Sequence, residues 1–190
     1  GAHKYGHGHA LVLTGGAGTT GAARLAARAA LRIGAGVVTL GVPPAAQLEV
    51  ACQITALMLR RVRDGADLAS VLGDARINAL CLGPGMGLGE GKAALMGLSD
   101  DKAGLLRVAL QSGRALVLDA DALTMIARDA DLFALLHPAC VLTPHAGEFA
   151  RLFPDLAQRL IGVPETGPAY SKVNATREAA KRAGCVVLFK

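Results

Sequence analysis

Short, continuous apolar runs recur along the chain at residues 9–14, 37–42, 77–82, 115–118, 140–143 and 185–189. Continuous apolarity, as opposed to strict alternation, predicts strands buried on both faces. Between them lie stretches rich in alanine and leucine that predict helices over 22–33, 45–54, 105–111, a turn after 121, and 171–183. Strand alternating with helix predicts an α/β fold with a mostly parallel sheet and helices on both faces. Residues 55–62 read equally as strand or loop, and the loop at 162–168 is too short to divide domains. One domain over residues 1–190 is expected.

Composition narrows the function classes. Hydrophobic residues are 52% and charged ones 18%, which excludes a disordered chain. No apolar run approaches the ~20 residues that span a bilayer, and no leader-like stretch opens the sequence, so a cytoplasmic location without membrane partners is expected. The net charge of +5 favours anionic ligands. Aromatics at 3%, with no Trp, leave little from which to build a base-stacking surface, so nucleic acid is not an expected partner. Cys52, Cys81, Cys140 and Cys185 lie far apart without a C-x-x-C and read as buried, reduced thiols. His3, His7 and His9 lie among glycines without a Cys or carboxylate at ligand spacing, which predicts a solvated N-terminal arm. The Gly1-Ala2 start reads as a cut in a longer chain.

Polar, turn-forming stretches follow four of the predicted strands, where open parallel sheets keep their chemistry. Gly16, Gly18 and Gly21 satisfy G-x-G-x-x-G at a strand-to-helix junction, where free backbone N–H groups can hold a phosphate. A dinucleotide fold for hydride transfer also needs an acid at the end of the next strand, and that end reads Leu40-Gly41-Val42-Pro43. Gly83-Pro84-Gly85-Met86-Gly87 is a second glycine loop; a Walker A motif is excluded because Lys92 is followed by Ala93 and Met86 stands where its first glycine belongs. Asp119 and Asp121 are expected either both to cap the next helix or to divide two roles, one facing a metal or water and the other capping. In Thr143-Pro144-His145-Ala146-Gly147-Glu148, Pro144 fixes a turn, His145 offers a ring nitrogen, and Glu148 falls in the first helical turn.

Taken together, GGAGTTGAARLAARAALRIGAGVVTL, LGPGMGLG, VLDADAL and LTPHAGEFARL resemble the ADP/ATP-dependent NAD(P)H-hydrate dehydratase family from about Lys4 to Lys190. The resemblance implies a ribokinase-like three-layer sandwich. It also implies repair of nicotinamide cofactors: ADP or ATP phosphorylates the added hydroxyl, and phosphate then leaves. Hydroxide is a poor leaving group and phosphate a good one, and Mg2+ with backbone donors stabilises the transferred charge. By the same resemblance Ala22, Gly87 and His145 contact hydrated NADH or NADPH, Lys190 opens the nucleotide-binding turn, and Asp119 and Glu148 organise magnesium and phosphate through water.

The family's G-T-G-D loop, with its catalytic Asp, does not occur in this sequence, so no catalytic base is assigned. A chain ending at Lys190 is expected to be part of the domain, inactive and doubtful in stability, because elements that cover the sheet are then missing. The family implies homo-oligomers and, in many bacterial members, a fused epimerase domain. Two other readings stay open: a small-molecule kinase of the same fold, such as a hydroxyethylthiazole-kinase-like protein, and a non-catalytic nucleotide-binding module.

Overall fold

The computed structural model describes residues 3–87, 101–162 and 169–190. Gly1-Ala2, the Leu88 to Ala93 part of the stretch compared with a Walker A motif, and most of the 162–168 loop lie outside them. Seven strands form one sheet in which every pairing is parallel: β1 (His9–Leu13), β2 (Val37–Val42), β3 (Met58–Arg61), β4 (Ile77–Leu82), β5 (Ala115–Leu118), β6 (Cys140–Leu142) and β7 (Val186–Val187). Their order is β3-β2-β1-β4-β5-β6-β7. The chain winds outward from β1 to β3, returns to the other side of β1 with β4, and winds outward again. A parallel sheet opens a crevice where its winding reverses, here beyond the carboxyl ends of β1 and β4.

Helices connect every pair: α1 (Gly21–Arg32), α2 (Gln47–Ala51, after a 3₁₀ turn at Pro44–Ala46), α3 (Gly65–Leu72), α4 (Lys102–Gln111), α5 (Ala120–Arg128), α6 (Ala130–Ala134), α7 (Ala146–Leu152), α8 (Pro154–Ile161) and α9 (Lys172–Ala183). Successive residues of a strand point to opposite faces, and β1 divides accordingly. Val12 joins Ala23 and Ala27 of α1 and Val50 of α2 in one core, while Leu11 and Leu13 join the larger core beneath α3, α4, α5 and α7 to α9. The result is the three-layer sandwich expected from the sequence. Alanines at the α1 contact let that helix lie close to the strands. On the same side of the sheet, Val117, Val186 and Leu188 stay exposed.

The structure revises several local expectations. The ambiguous stretch at 55–62 supplies β3, an edge strand whose Arg60 and Arg61 keep the open edge charged. Helix α4 begins at Lys102, three residues before the predicted start at 105, because the Asp101 carboxylate accepts from Gly104 N at 2.7 Å and caps it. Pro154 opens α8, a helix absent from the sequence reading.

The N-terminal stretch is docked. Lys4–His7 forms a 3₁₀ turn against Gly36, where any Cβ would collide with the Lys4 carbonyl. The Arg76 guanidinium lies 4.3 Å from the Tyr5 ring centroid, and His9 is buried in β1 with Nε2 2.7 Å from Thr39 Oγ1. Cys52 is exposed at the end of α2, contrary to the expectation of a buried thiol, and Cys140 is buried as expected. Burial pushes the Cys81 thiol up to about 11 and Cys185 up to about 12. Among the described residues no helix is long and apolar enough to cross a membrane.

Candidate functional site

The two glycine loops lie side by side at the switch point. A Cβ on Gly15 would collide with the Gly85 carbonyl, and one on Gly85 with the Thr19 carbonyl. Backbone packs on backbone there, and only glycine at these positions permits it. Gly83, at φ 122, lies equally close to the Asp119 carbonyl at the end of β5. Three consecutive strand ends, β1, β4 and β5, are thereby fastened edge to edge.

Two donors of the first loop are already engaged. Gly18 N donates to Glu49 Oε2 at 2.6 Å, and the Thr20 hydroxyl donates to Glu49 Oε1. The Thr20 hydroxyl and the Gly18 amide hold the Glu49 carboxyl below its ordinary range. A side-chain carboxylate thus sits where a glycine loop at a helix start usually receives a ligand anion. The phosphate expected at Gly18 meets a resident negative charge.

Asp119 and Asp121 do divide their roles, but neither side chain caps α5. Asp119 occupies the N-cap position without a side-chain bond to the helix's free N–H groups, and Asp121 Oδ2 accepts from Gly87 N at 2.8 Å. Between them Ala120 takes φ 46, a left-handed conformation that costs an alanine about 1 kcal/mol and aims the two carboxylates at different partners. Asp119 Oδ1 accepts from Lys190 Nζ at 2.7 Å. Burial alone raises the Asp119 carboxyl, but bonds from Lys190 and Thr143 and the ammonium charge prevail and hold it below the usual range.

At the end of β6, His145 caps α7. Its Nδ1 accepts from Gly147 N at 3.0 Å and Glu148 N at 3.4 Å, while Glu148 Oε2 accepts from His145 N at 2.9 Å, closing a capping box. An accepting Nδ1 leaves the ring proton on Nε2, 3.2 Å from Glu148 Oε1. Glu148 is buried and faces its histidine, whereas the His145 side chain stays 57% exposed. Lys190 is held in place by its own amide, which donates to the Pro144 carbonyl at 2.9 Å, and by Lys172 Nζ, which donates to the Lys190 carbonyl at 2.8 Å. Next to it, Phe189 stacks on buried Phe149 at 4.1 Å between centroids.

Of the predicted site residues, the structure joins Asp119 to Lys190, His145 to Glu148, and Gly87 to the start of α5 through Asp121. Ala22 lies exposed in the first turn of α1. Sequence reasoning missed Glu49, an ordinary-looking acid on a short helix, and Lys172, a helix-start lysine. Only the fold brings either to the site.

The profile of the NAD(P)H-hydrate dehydratase family matches residues 10–190. The chain belongs to that family. It is 37% identical over 161 residues to a bifunctional NAD(P)H-hydrate repair enzyme of Gloeobacter violaceus, covering 82% of this chain and 29% of that protein. The corresponding enzyme of Synechocystis is 33% identical over 187 residues, covering 94% of this chain and 33% of the relative. The chain therefore spans about a third of the length of these relatives.

Solved structures show the same fold. A ribokinase-like superfamily protein from Enterococcus faecalis superposes with a TM-score of 0.72 at 18% identity, over 100% of this chain and 59% of that one. The ADP/ATP-dependent NAD(P)H-hydrate dehydratase of Bacillus subtilis, co-crystallised with ATP and Mg2+, does so with a TM-score of 0.66 at 22% identity, over 100% of this chain and 60% of that one. This NAD(P)H-hydrate dehydratase family member has the ribokinase-like fold.

Proposed function

We propose that this chain forms the substrate side of an enzyme that dehydrates hydrated NADH or NADPH at the expense of ADP or ATP. The observation that carries the reading is the Asp119–Lys190 pair, an acid and a base held together at the carboxyl edge beside a backbone-tight glycine loop and the exposed ring of His145. Ala22, Gly87 and His145 hold the hydrated dinucleotide. Lys190 meets the phosphates of the donor.

The reaction moves a phosphoryl group onto the added hydroxyl, whose proton passes to a base. The carbon–oxygen bond then breaks with its electrons on the departing phosphate, and loss of a proton from the neighbouring ring carbon restores the reduced nicotinamide. Among the described residues no cluster of three or more metal-ligating side chains occurs. That suits magnesium, which binds through one or two carboxylates and the substrate's phosphates, not in an all-protein cage. Asp119, which already directs one oxygen at a cation, and Glu148, which both His145 contacts leave to act only through water, are the residues that would hold it. When bound, the ion offsets the charge on the phosphoryl oxygens.

We place the protein in the cytoplasm, as a homo-oligomer, with an epimerase fused or separate. The exposed Val117, Val186 and Leu188 support a larger domain in which further segments cover this part of the sheet. The test uses the longest form of the protein with chemically hydrated NADH, magnesium and either ADP or ATP, following the return of reduced-nicotinamide absorbance. Recovery that requires one nucleotide establishes the activity and names the donor. No recovery from a folded protein that carries the G-T-G-D segment overturns it.

A further inference from the structure

A groove of about 710 Å³ runs along the outer side of α1, between that helix and residues 53–57 beyond α2. Its size is that of a small-molecule cleft. Arg24, Arg28 and Arg32 line it at four-residue spacing, so they stand on one face of the helix, and no acidic residue lines it. Leu31, Ile54 and Leu57 give it apolar walls.

The three arginines are not equivalent. Arg24 Nε donates to Thr20 Oγ1 at 3.2 Å, its Nη1 lies 3.5 Å from Gln53 Oε1, and the Glu49 carboxylate beside it supplies an opposing charge. Arg28 and Arg32 have no ion pair or hydrogen bond among the described residues. One end of the groove, beside Gly21, is therefore closed to anions by Glu49, and the other end carries two free guanidinium groups. Neighbours at i and i+4 lie about 6 Å apart, within reach of a single phosphate, and guanidinium groups recognise phosphate through paired N–H donors.

We propose that Arg28 and Arg32 clamp a phosphate group on the adenosine half of the dinucleotide, which runs past Ala22 so that its nicotinamide end lies along the carboxyl edge toward Gly87 and His145. This rests on the dehydratase reading for the identity of the ligand. The phosphate stands some 10–16 Å down the helix from Gly21, at about 1.5 Å of rise per residue. A ligand built of two nucleosides joined through phosphates can occupy both ends; a mononucleotide cannot. The adenine nucleotide that donates phosphate is placed elsewhere, at Lys190 beyond β7. Four strand spacings of about 4.8 Å separate β1 from β7, so the donor's adenosine stays clear of the groove while its phosphates meet the nicotinamide end between the two.

The test is carried out on the full-length protein with Arg28→Ala/Arg32→Ala and Arg28→Lys/Arg32→Lys double variants, titrated with NADPH by nicotinamide fluorescence and with ADP in parallel. Loss of both guanidinium groups is expected to weaken NADPH about tenfold, with ADP affinity within twofold and partial recovery in the lysine variant. Added salt should weaken NADPH in the parent more than in the alanine variant. Unchanged NADPH affinity, no NADPH binding by the parent, or a loss confined to ADP overturns the assignment. Hydrate turnover separates this inference from the reading beneath it. A parent that turns over hydrate with the same KM as the alanine variant removes the groove and keeps the dehydratase; a parent without turnover whose NADPH binding depends on the arginines does the reverse.

Discussion

Lys190 Nζ and Asp119 Oδ1 meet at 2.7 Å although 71 residues separate them in the chain and β6 lies between their strands. The lysine reaches across about two strand spacings, roughly 10 Å, to put its charge on an acid that burial alone would push toward neutrality. Replacing Lys190 with Met is therefore expected to raise the Asp119 carboxyl back toward or above its ordinary range. Carbon-detected NMR titration of the Asp119 carboxyl reads this directly, and an unchanged midpoint would show that Thr143 and the backbone suffice.

Gly83 and Gly87 belong to one loop and both have positive φ, yet their substitution by alanine should differ. At Gly83 a Cβ strikes the Asp119 carbonyl, whereas at Gly87 it meets open space. Gly87→Ala is expected to cost about 1 kcal/mol of backbone strain. Gly83→Ala should cost about 3 kcal/mol or more, since strain and a backbone collision add. Urea denaturation of both variants checks the gap, and equal losses would refute the edge-to-edge fastening.

Glu49 holds the first glycine loop by one N–H and one hydroxyl. Glu49→Ala should speed amide hydrogen exchange at Gly18 and leave exchange in β1 unchanged. If Gly18 exchanges at the same rate in both proteins, the carboxylate does not secure the loop.

His9 gives the fold a pH dependence whose sign is set by burial. Desolvation lowers its pKa from the ordinary 6.5, Asp74 opposes the shift and Arg76 adds to it. Between the folded and unfolded values the unfolded chain binds more protons, so stability is complete above about pH 6.5 and is lost as pH falls toward the folded pKa. Its Nδ1, buried without a hydrogen-bond partner, supplies no compensation on charging. The urea midpoint of the parent should fall between about pH 7.5 and about pH 5.5, and His9→Gln should lose much of that difference. An equal fall in both would assign the effect to other groups.

The strands and the layer arrangement were legible because six of the seven strands are apolar runs that only a doubly covered parallel sheet accommodates. β3 was not, since its Met58-Leu59-Arg60-Arg61 sequence buries little and carries charge. The candidate residues Asp119, His145, Glu148 and Lys190 were legible as positions at strand ends, which the fold gathers at one edge of the sheet. Their connections were not. A carboxylate from α2 in the first glycine loop, and a division of labour at Asp119 and Asp121 set by a left-handed alanine, depend on which loops the winding makes neighbours. Local sequence holds no signal of that.

The sheet has no hairpin among its described pairings: every described strand reaches its neighbour through a crossover, and β1 lies in the interior of the described order. Such a topology closes long loops before its contacts reward them, so the chain should fold slowly and spend that time with unpaired strand edges exposed. Recovery from denaturant is then governed by protein concentration as much as by stability. Dilute refolding should return native protein under conditions where concentrated refolding returns aggregate.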